Sequence, residues 1–168
     1  IIVISISSQG LRGFVERILA SDVSEKDFVL CMKGIEVATG DRLSQVLAGA
    51  GISPEHIAVW VGPGHIQAFT QGIPNCMVID SASETLKKRL ADNFKSELIR
   101  FYYGEDLIGT EIGAAAKNVM GIVAGVLDGC GYASLKGSLM SRGAREVARL
   151  IKAMGGNELS AYGLAHLG

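Results

Sequence analysis

The stretch EIGAAAKNVMGIVAG, residues 111–125, sets one long cation among small and apolar side chains, with an amide directly after it. On a helix, the residues three and four positions from Lys117 are Gly113, Ala114, Met120 and Gly121, so no carboxylate on that face pairs with the ammonium. Gly113, Gly121 and Gly125 share a broad face, and each glycine costs about 1 kcal/mol against alanine inside a helix. Such glycines leave room for a close neighbour, and the lysine reaches into that room. Partial desolvation disfavours the charged amine and lowers its pKa, as a proton donor and acceptor near neutral pH requires. Spacing alone favours a plainer reading, in which the lysine snorkels to solvent and the glycines serve packing. Asn118 lies about 100° further around the helix, where it either edges the same pocket or is an ordinary polar position.

Such a side chain needs elements to hold it. Residues 1–103 alternate short β-rich runs (IIVISI, DFVLCM, HIAVWVG, NCMVID, ELIRFYY) with amphipathic stretches (QGLRGFVERILA, DRLSQVLAGA, HIQAFTQG, ETLKKRLADNF). That alternation predicts βα units and a largely parallel sheet, whose ligand crevice lies beyond the carboxyl ends of the strands. Ser7 to Gly10, Lys33 with Gly34, and Gly62 to His65 would then gather along one edge. From Asp106 onward the pattern predicts no strand but two long helices, roughly 107–129 and 134–154, with GCGYAS and GGN as breaks. A boundary near 104 is expected, giving a part over residues 1–104 and a helical part over 105–168.

A net charge of −1, with 48% hydrophobic and 20% charged residues, describes a folded chain with no general affinity for nucleic acid or acidic lipid. The longest apolar run, 119–127, falls short of the ~20 residues of a membrane span. Cys31, Cys76 and Cys130 are too scattered for a zinc site or disulfide framework and predict three buried thiols in a reducing cytoplasm. His56, His65 and His166 show no metal-ligand spacing. The chain starts in a strand under way and stops in a glycine-rich turn, so it is expected to be part of a longer protein.

GTEIGAAAKNVMGIVAGVLDG resembles the signature helix of NAD(P)-dependent glycerol-3-phosphate dehydrogenases, close to GxELGGALKNVxAIAAGxxDG. In the family's order, VISISSQGLR resembles its late Rossmann strand and Gln loop, CMKGIEVATGDRLSQVL its KGIE segment, and VGPGHIQAFTQGIP its SGPSFAxExxxGxP segment. SELIRFYYGEDLIGTEIG, MSRGAREVARLIKAMGG and YGLAHLG resemble the stretches that flank and follow the signature helix. The resemblance implies the C-terminal portion of a Rossmann-type parallel sheet followed by an all-α substrate domain. It also implies interconversion of glycerol 3-phosphate and dihydroxyacetone phosphate with NAD or NADP, in support of glycerophospholipid synthesis in the cytoplasm. By position, Lys117 becomes the proton-transfer residue. Lys33, Asn118, Gly62 and Gly64 become substrate-binding, and Lys33, Gly10 and Ile66 border the cofactor. The implied partner is a small phosphorylated substrate, with a homodimer expected by analogy.

The resemblance has gaps. Val61 replaces a serine, Gly64 a Ser/Thr, Ile66 a small alanine, and His166 the usual glycine of the GLAGLGD turn. The glycine-rich fingerprint and the family's Arg-Asn pair are expected outside residues 1–168, so this segment alone should bind cofactor poorly. Arg142 and Arg145 remain as cations that either face an anion or are solvated. Two other readings stay open: a different Rossmann-plus-helical hydroxyacid dehydrogenase, or a non-catalytic relative acting as sensor or scaffold.

Overall fold

Strands form where β-branched and aromatic residues cluster: β1 (Ile2–Ile4), β2 (Phe28–Leu30), β3 (Ile57–Val61), β4 (Asn75–Ser81) and β5 (Ile99–Tyr103). They make one sheet in the order β1-β2-β3-β4-β5 in the computed structural model, which describes residues 1–168. Phe28, Val29 and Leu30 of β2 are all buried, as a strand covered on both faces must be. Phe28 and Leu30 pack with Leu11 and Val15 of α1 (Leu11–Ile18) and with Val46 and Leu47 of α2 (Leu43–Gly49). Val29 points to the other side, against Leu86 and Leu90 of α4 (Glu84–Phe94).

The sheet departs from the parallel arrangement at one seam. β1, β2 and β3 run parallel, as do β4 and β5, but β4 runs antiparallel to β3, with Ala58 opposite Ser81 and Val61 opposite Val78. The cause is the connector. Between β3 and β4 the chain forms only a five-residue helix, α3 (Ile66–Thr70), about 7.5 Å long at 1.5 Å per residue. That is too short to carry the chain back along a strand, so β4 starts at the crevice edge and runs away from it. The eleven-residue α4 does make the return, and β5 lies parallel to β4.

Beyond Tyr103 the structure is helical, as the pattern predicts: α5 (Leu107–Gly129), α6 (Lys136–Ala153) and the short α7 (Leu164–Leu167). α6 starts later than expected because residues 133–135 form a 3-10 turn. Ile112 of α5 packs with Val147, Ala148 and Ile151 of α6 and with Ala161. The 23-residue α5 is long and apolar enough to cross a membrane by length and composition, which the shorter apolar run had not indicated. Its first turns, Gly109 to Ala114, are nevertheless buried within this molecule. The three thiols are free, but burial was overstated: Cys31 and Cys76 are partly exposed, and Cys130, which caps α5, is exposed. Burial still pushes the Cys31 thiol up to about 11.

Because β5 ends at the edge opposite the crevice, α5 begins there too. Thr110 Oγ donates to the buried Asp80 carboxylate at the end of β4 (2.7 Å), and Lys87 of α4 donates to the Gly104 carbonyl (2.6 Å). Burial raises the Asp80 pKa, against the opposing pull of Thr110 and Lys87. From this anchored start α5 traverses the molecule towards the crevice, and Lys117 lies ten residues along it.

Candidate active site

Glu111, one turn after the start of α5, fixes the helix against the sheet half. Its buried carboxylate accepts hydrogen bonds from Arg42 Nη1 (2.5 Å), Ser44 N (2.9 Å) and Ser44 Oγ (2.6 Å). Arg42 and Ser44 form the N-terminal turn of α2, so a single carboxylate joins the entry of one helix to the flank of another. Asp106 secures the start of α5 in the same way, accepting from Asn157 N (2.8 Å) and Ser160 Oγ (2.7 Å). With both attachments in place, the direction in which Lys117 projects is set.

Lys117 and Asn118 line a cavity of about 700 Å³ between α5, α6 and α7, together with Met120, Met140, His166 and Gly168. Lys117 Nζ donates to the Gly168 carbonyl. Partial burial lowers the lysine pKa, and the like charge of Lys33 lowers it further. The side chain is half-buried along the wall of this cavity. The expected close approach accounts for only one of the three glycines. A Cβ on Gly113 would lie 3.1 Å from His166 Cβ, whereas Gly121 and Gly125 face open space.

Lys33 follows β2 at the crevice edge and lines a narrow cleft with Gly34, Val61, Glu111 and Ala114, which brings it alongside the first half of α5. The loop holding it is tied to the loop after β1: Gln9 Nε2 donates to Ile35 O (2.9 Å), and Gln9 Oε1 accepts from Val37 N (2.9 Å). Gly34, at φ +140°, lies against Ser8, where a Cβ would be 2.8 Å from the hydroxyl oxygen. Gly62 has φ +144° and packs on the backbone of Met77. The loop after β3 packs behind one wall of the cavity, since the Gly168 Cα faces Pro63 closely enough that a Cβ would sit 3.1 Å from its ring. At Gly64 a Cβ would lie 2.6 Å from Met77 Sδ and 2.8 Å from the Phe69 ring, so those side chains fill the space a serine would need. Gly64 can therefore offer only backbone.

Lys117, Asn118, Lys33 and the loop at Gly62 and Gly64 are thus brought to one end of the sheet. Gly10 follows Gln9 on the same edge, and Ile66 is 77% exposed at the start of α3; neither lines the cavity. Arg145 lines an adjoining cleft that shares Met140, Ala144 and Leu167 with the cavity, while Arg142 lies 3.9 Å from Glu146 on its own helix. Sequence reasoning did not identify Glu111, although a carboxylate among the small and apolar residues that open this helix was a visible signal of a buried partner. It noted His166 only as a departure. That ring is 4% exposed, lines the lysine cavity and bonds through Nδ1 to Gly113 O (3.1 Å).

Residues 1–87 match a family model described as NAD-dependent glycerol-3-phosphate dehydrogenase N-terminus, and residues 106–168 match one described as NAD-dependent glycerol-3-phosphate dehydrogenase C-terminus. A protein of Pelodictyon phaeoclathratiforme named glycerol-3-phosphate dehydrogenase (NAD(P)+) is 34% identical over 170 residues, covering 99% of this chain and 51% of that protein. One of the same name from Chlorobium limicola is 35% identical, with 99% and 51% covered. The crystal structure of glycerol-3-phosphate dehydrogenase from Coxiella burnetii superposes with a TM-score of 0.90 at 25% identity, over 99% of this chain and 51% of the other. The enzyme from Plasmodium falciparum, at 15% identity, shares the fold with a TM-score of 0.85, over 98% of this chain and 47% of the other. The chain spans about half the length of the curated relatives it matches.

Proposed function

Because the chain belongs to the NAD-dependent glycerol-3-phosphate dehydrogenase family, we propose that it carries the proton-transfer half of a site that interconverts glycerol 3-phosphate and dihydroxyacetone phosphate. The observation that supports this most is Lys117, an ammonium with a lowered pKa lining a cavity of about 700 Å³ beside Asn118 and within reach of the charge of Lys33. In the oxidative direction neutral Lys117 takes the proton of the C2 hydroxyl as the C2 hydrogen departs with its electron pair, leaving a C2 carbonyl. In reduction the ammonium returns that proton to the oxygen. Asn118 hydrogen-bonds the substrate and fixes its approach. Lys33 offsets negative charge on the reacting oxygen or the phosphate.

A dinucleotide, NAD or NADP, supplies the hydride acceptor when bound. Three features support such a group: the three parallel strands end at one edge, Gly62 presents bare backbone after β3, and the apolar side chain of Ile66 is exposed at the start of α3. Within this reading residues 1–104 serve the cofactor and 105–168 the substrate. The reading extends to a homodimer working in the cytoplasm, its product feeding glycerophospholipid assembly.

The protein carrying this chain at the length of its relatives should oxidise glycerol 3-phosphate, followed by dinucleotide absorbance, in preference to 2-hydroxy acids. Lys117→Ala should lower kcat by about 10²–10⁴-fold, the range for a general acid–base group. Unchanged turnover in that variant would remove the lysine from the mechanism, and turnover of 2-hydroxy acids alone would remove the substrate.

A further inference from the structure

His166 makes one side-chain hydrogen bond, through Nδ1 to the Gly113 carbonyl at 3.1 Å. A carbonyl oxygen only accepts, so Nδ1 carries the proton, and in the neutral ring Nε2 is then an acceptor. The ring stays neutral because burial and the charge of Lys117 both lower its pKa, outweighing the opposing effect of the Gly113 bond. Nε2 lies across the ring from Nδ1 and so faces away from the α5 backbone, and the residue lines the same cavity as Lys117 and Asn118. No protein group donates to it. Nε2 is not sealed among protein atoms but keeps access to the open space the residue lines, so it is free to accept from a substrate placed there.

We infer that His166 is a substrate-binding and specificity residue, its Nε2 accepting a hydrogen bond from the C1 hydroxyl of glycerol 3-phosphate. The inference rests on the function proposed above and deepens it. The choice of group follows from the substrate's chemistry. The C2 oxygen belongs to Lys117. A phosphate offers only acceptor oxygens at neutral pH and gains nothing from a lone pair. The hydroxymethyl group at C1 is the remaining donor, and it is present in both the alcohol and the ketone. His166 therefore serves both directions of the reaction, and it replaces the glycine of the GLAGLGD motif that this turn resembles. A site with this acceptor should prefer a three-carbon phosphate bearing a C1 hydroxyl over one ending in a methyl group.

The test compares glycerol 3-phosphate with its 1-deoxy analogue, propane-1,2-diol phosphate, in the protein at the length of its relatives. His166→Asn places an amide near the Nδ1 position and keeps a donor for Gly113 O, but offers nothing at Nε2. For this variant kcat/KM on glycerol 3-phosphate should fall about 10–100-fold, the range for leaving one buried hydrogen-bonding group unpaired. On the 1-deoxy analogue it should match the unaltered protein. His166→Gln, whose amide reaches the Nε2 position, should recover part of the loss. A folding defect lowers both substrates alike, so the ratio between them is the readout. An unchanged ratio in His166→Asn overturns the proposal and reduces His166 to a packing role. If the unaltered protein turns over neither substrate, the underlying reading fails and the proposal falls with it.

Discussion

At the residue scale, the site depends on how Lys117 loses its proton. Its pKa lies below the ordinary 10.5, first through burial and then through the charge of Lys33. The neutral amine is the base in oxidation, so the oxidative kcat/KM should rise with pH and level off above an inflection below 10.5. Lys33→Met removes a like charge, so it should shift that inflection to higher pH. An inflection that stays in place would mean that Lys33 does not act on Lys117. The lysine was legible in sequence because it interrupts a run of small residues, and the KG and GPG segments because they follow strands. His166 was not legible as part of the site. One histidine in a glycine turn gives no periodic signal, and its place against Gly113 depends on two segments about fifty residues apart.

At the element scale, local pattern identified the five strands and the long helices, since apolar periodicity and glycine breaks are local properties. It did not reveal that β4 reverses. A buried strand has the same hydrophobic pattern in either direction, and the reversal depends on how far five residues of α3 can carry the chain. The tie between α2 and α5 was likewise unreadable, because Arg42, Ser44 and Glu111 are joined only by folding. Both side chains of the ion pair are largely buried, at 13% exposure for Arg42 and 5% for Glu111. Glu111→Ala would take the counter-charge from the guanidinium and the acceptor from both the Ser44 hydroxyl and the Ser44 N–H, leaving only the Arg42 Nη1 to Ser44 Oγ bond (2.9 Å). It should cost about 3–5 kcal/mol, the range for removing one member of a buried pair, read by chemical denaturation. A loss below 1 kcal/mol would show that α5 is held mainly by its apolar contacts.

At the scale of the whole molecule, the sheet and the helices meet at the buried Asp80, which accepts from Thr110 of α5 and from the Ser81 N–H (2.8 Å). Burial raises its pKa, so the folded state holds this proton to higher pH than the unfolded chain does. Its contribution to stability is complete below its ordinary value of 3.8 and is lost as pH rises through the folded-state value. Asp80→Asn removes that loss while keeping an acceptor for Ser81 N–H. Its melting temperature relative to the unaltered protein should therefore be higher at pH 7 than at pH 3.5, and a flat difference across that range would refute the assignment. The reversal of β4 has a further consequence. Because α5 starts at the far edge, its first ten residues act as a ruler between a fixed origin and Lys117. One inserted residue would swing the lysine by about 100°. Seven would nearly restore its bearing but carry it about 10 Å too far. No insertion or deletion there keeps both phase and reach, so the blandest stretch of the chain by composition is the one whose length has least freedom to drift.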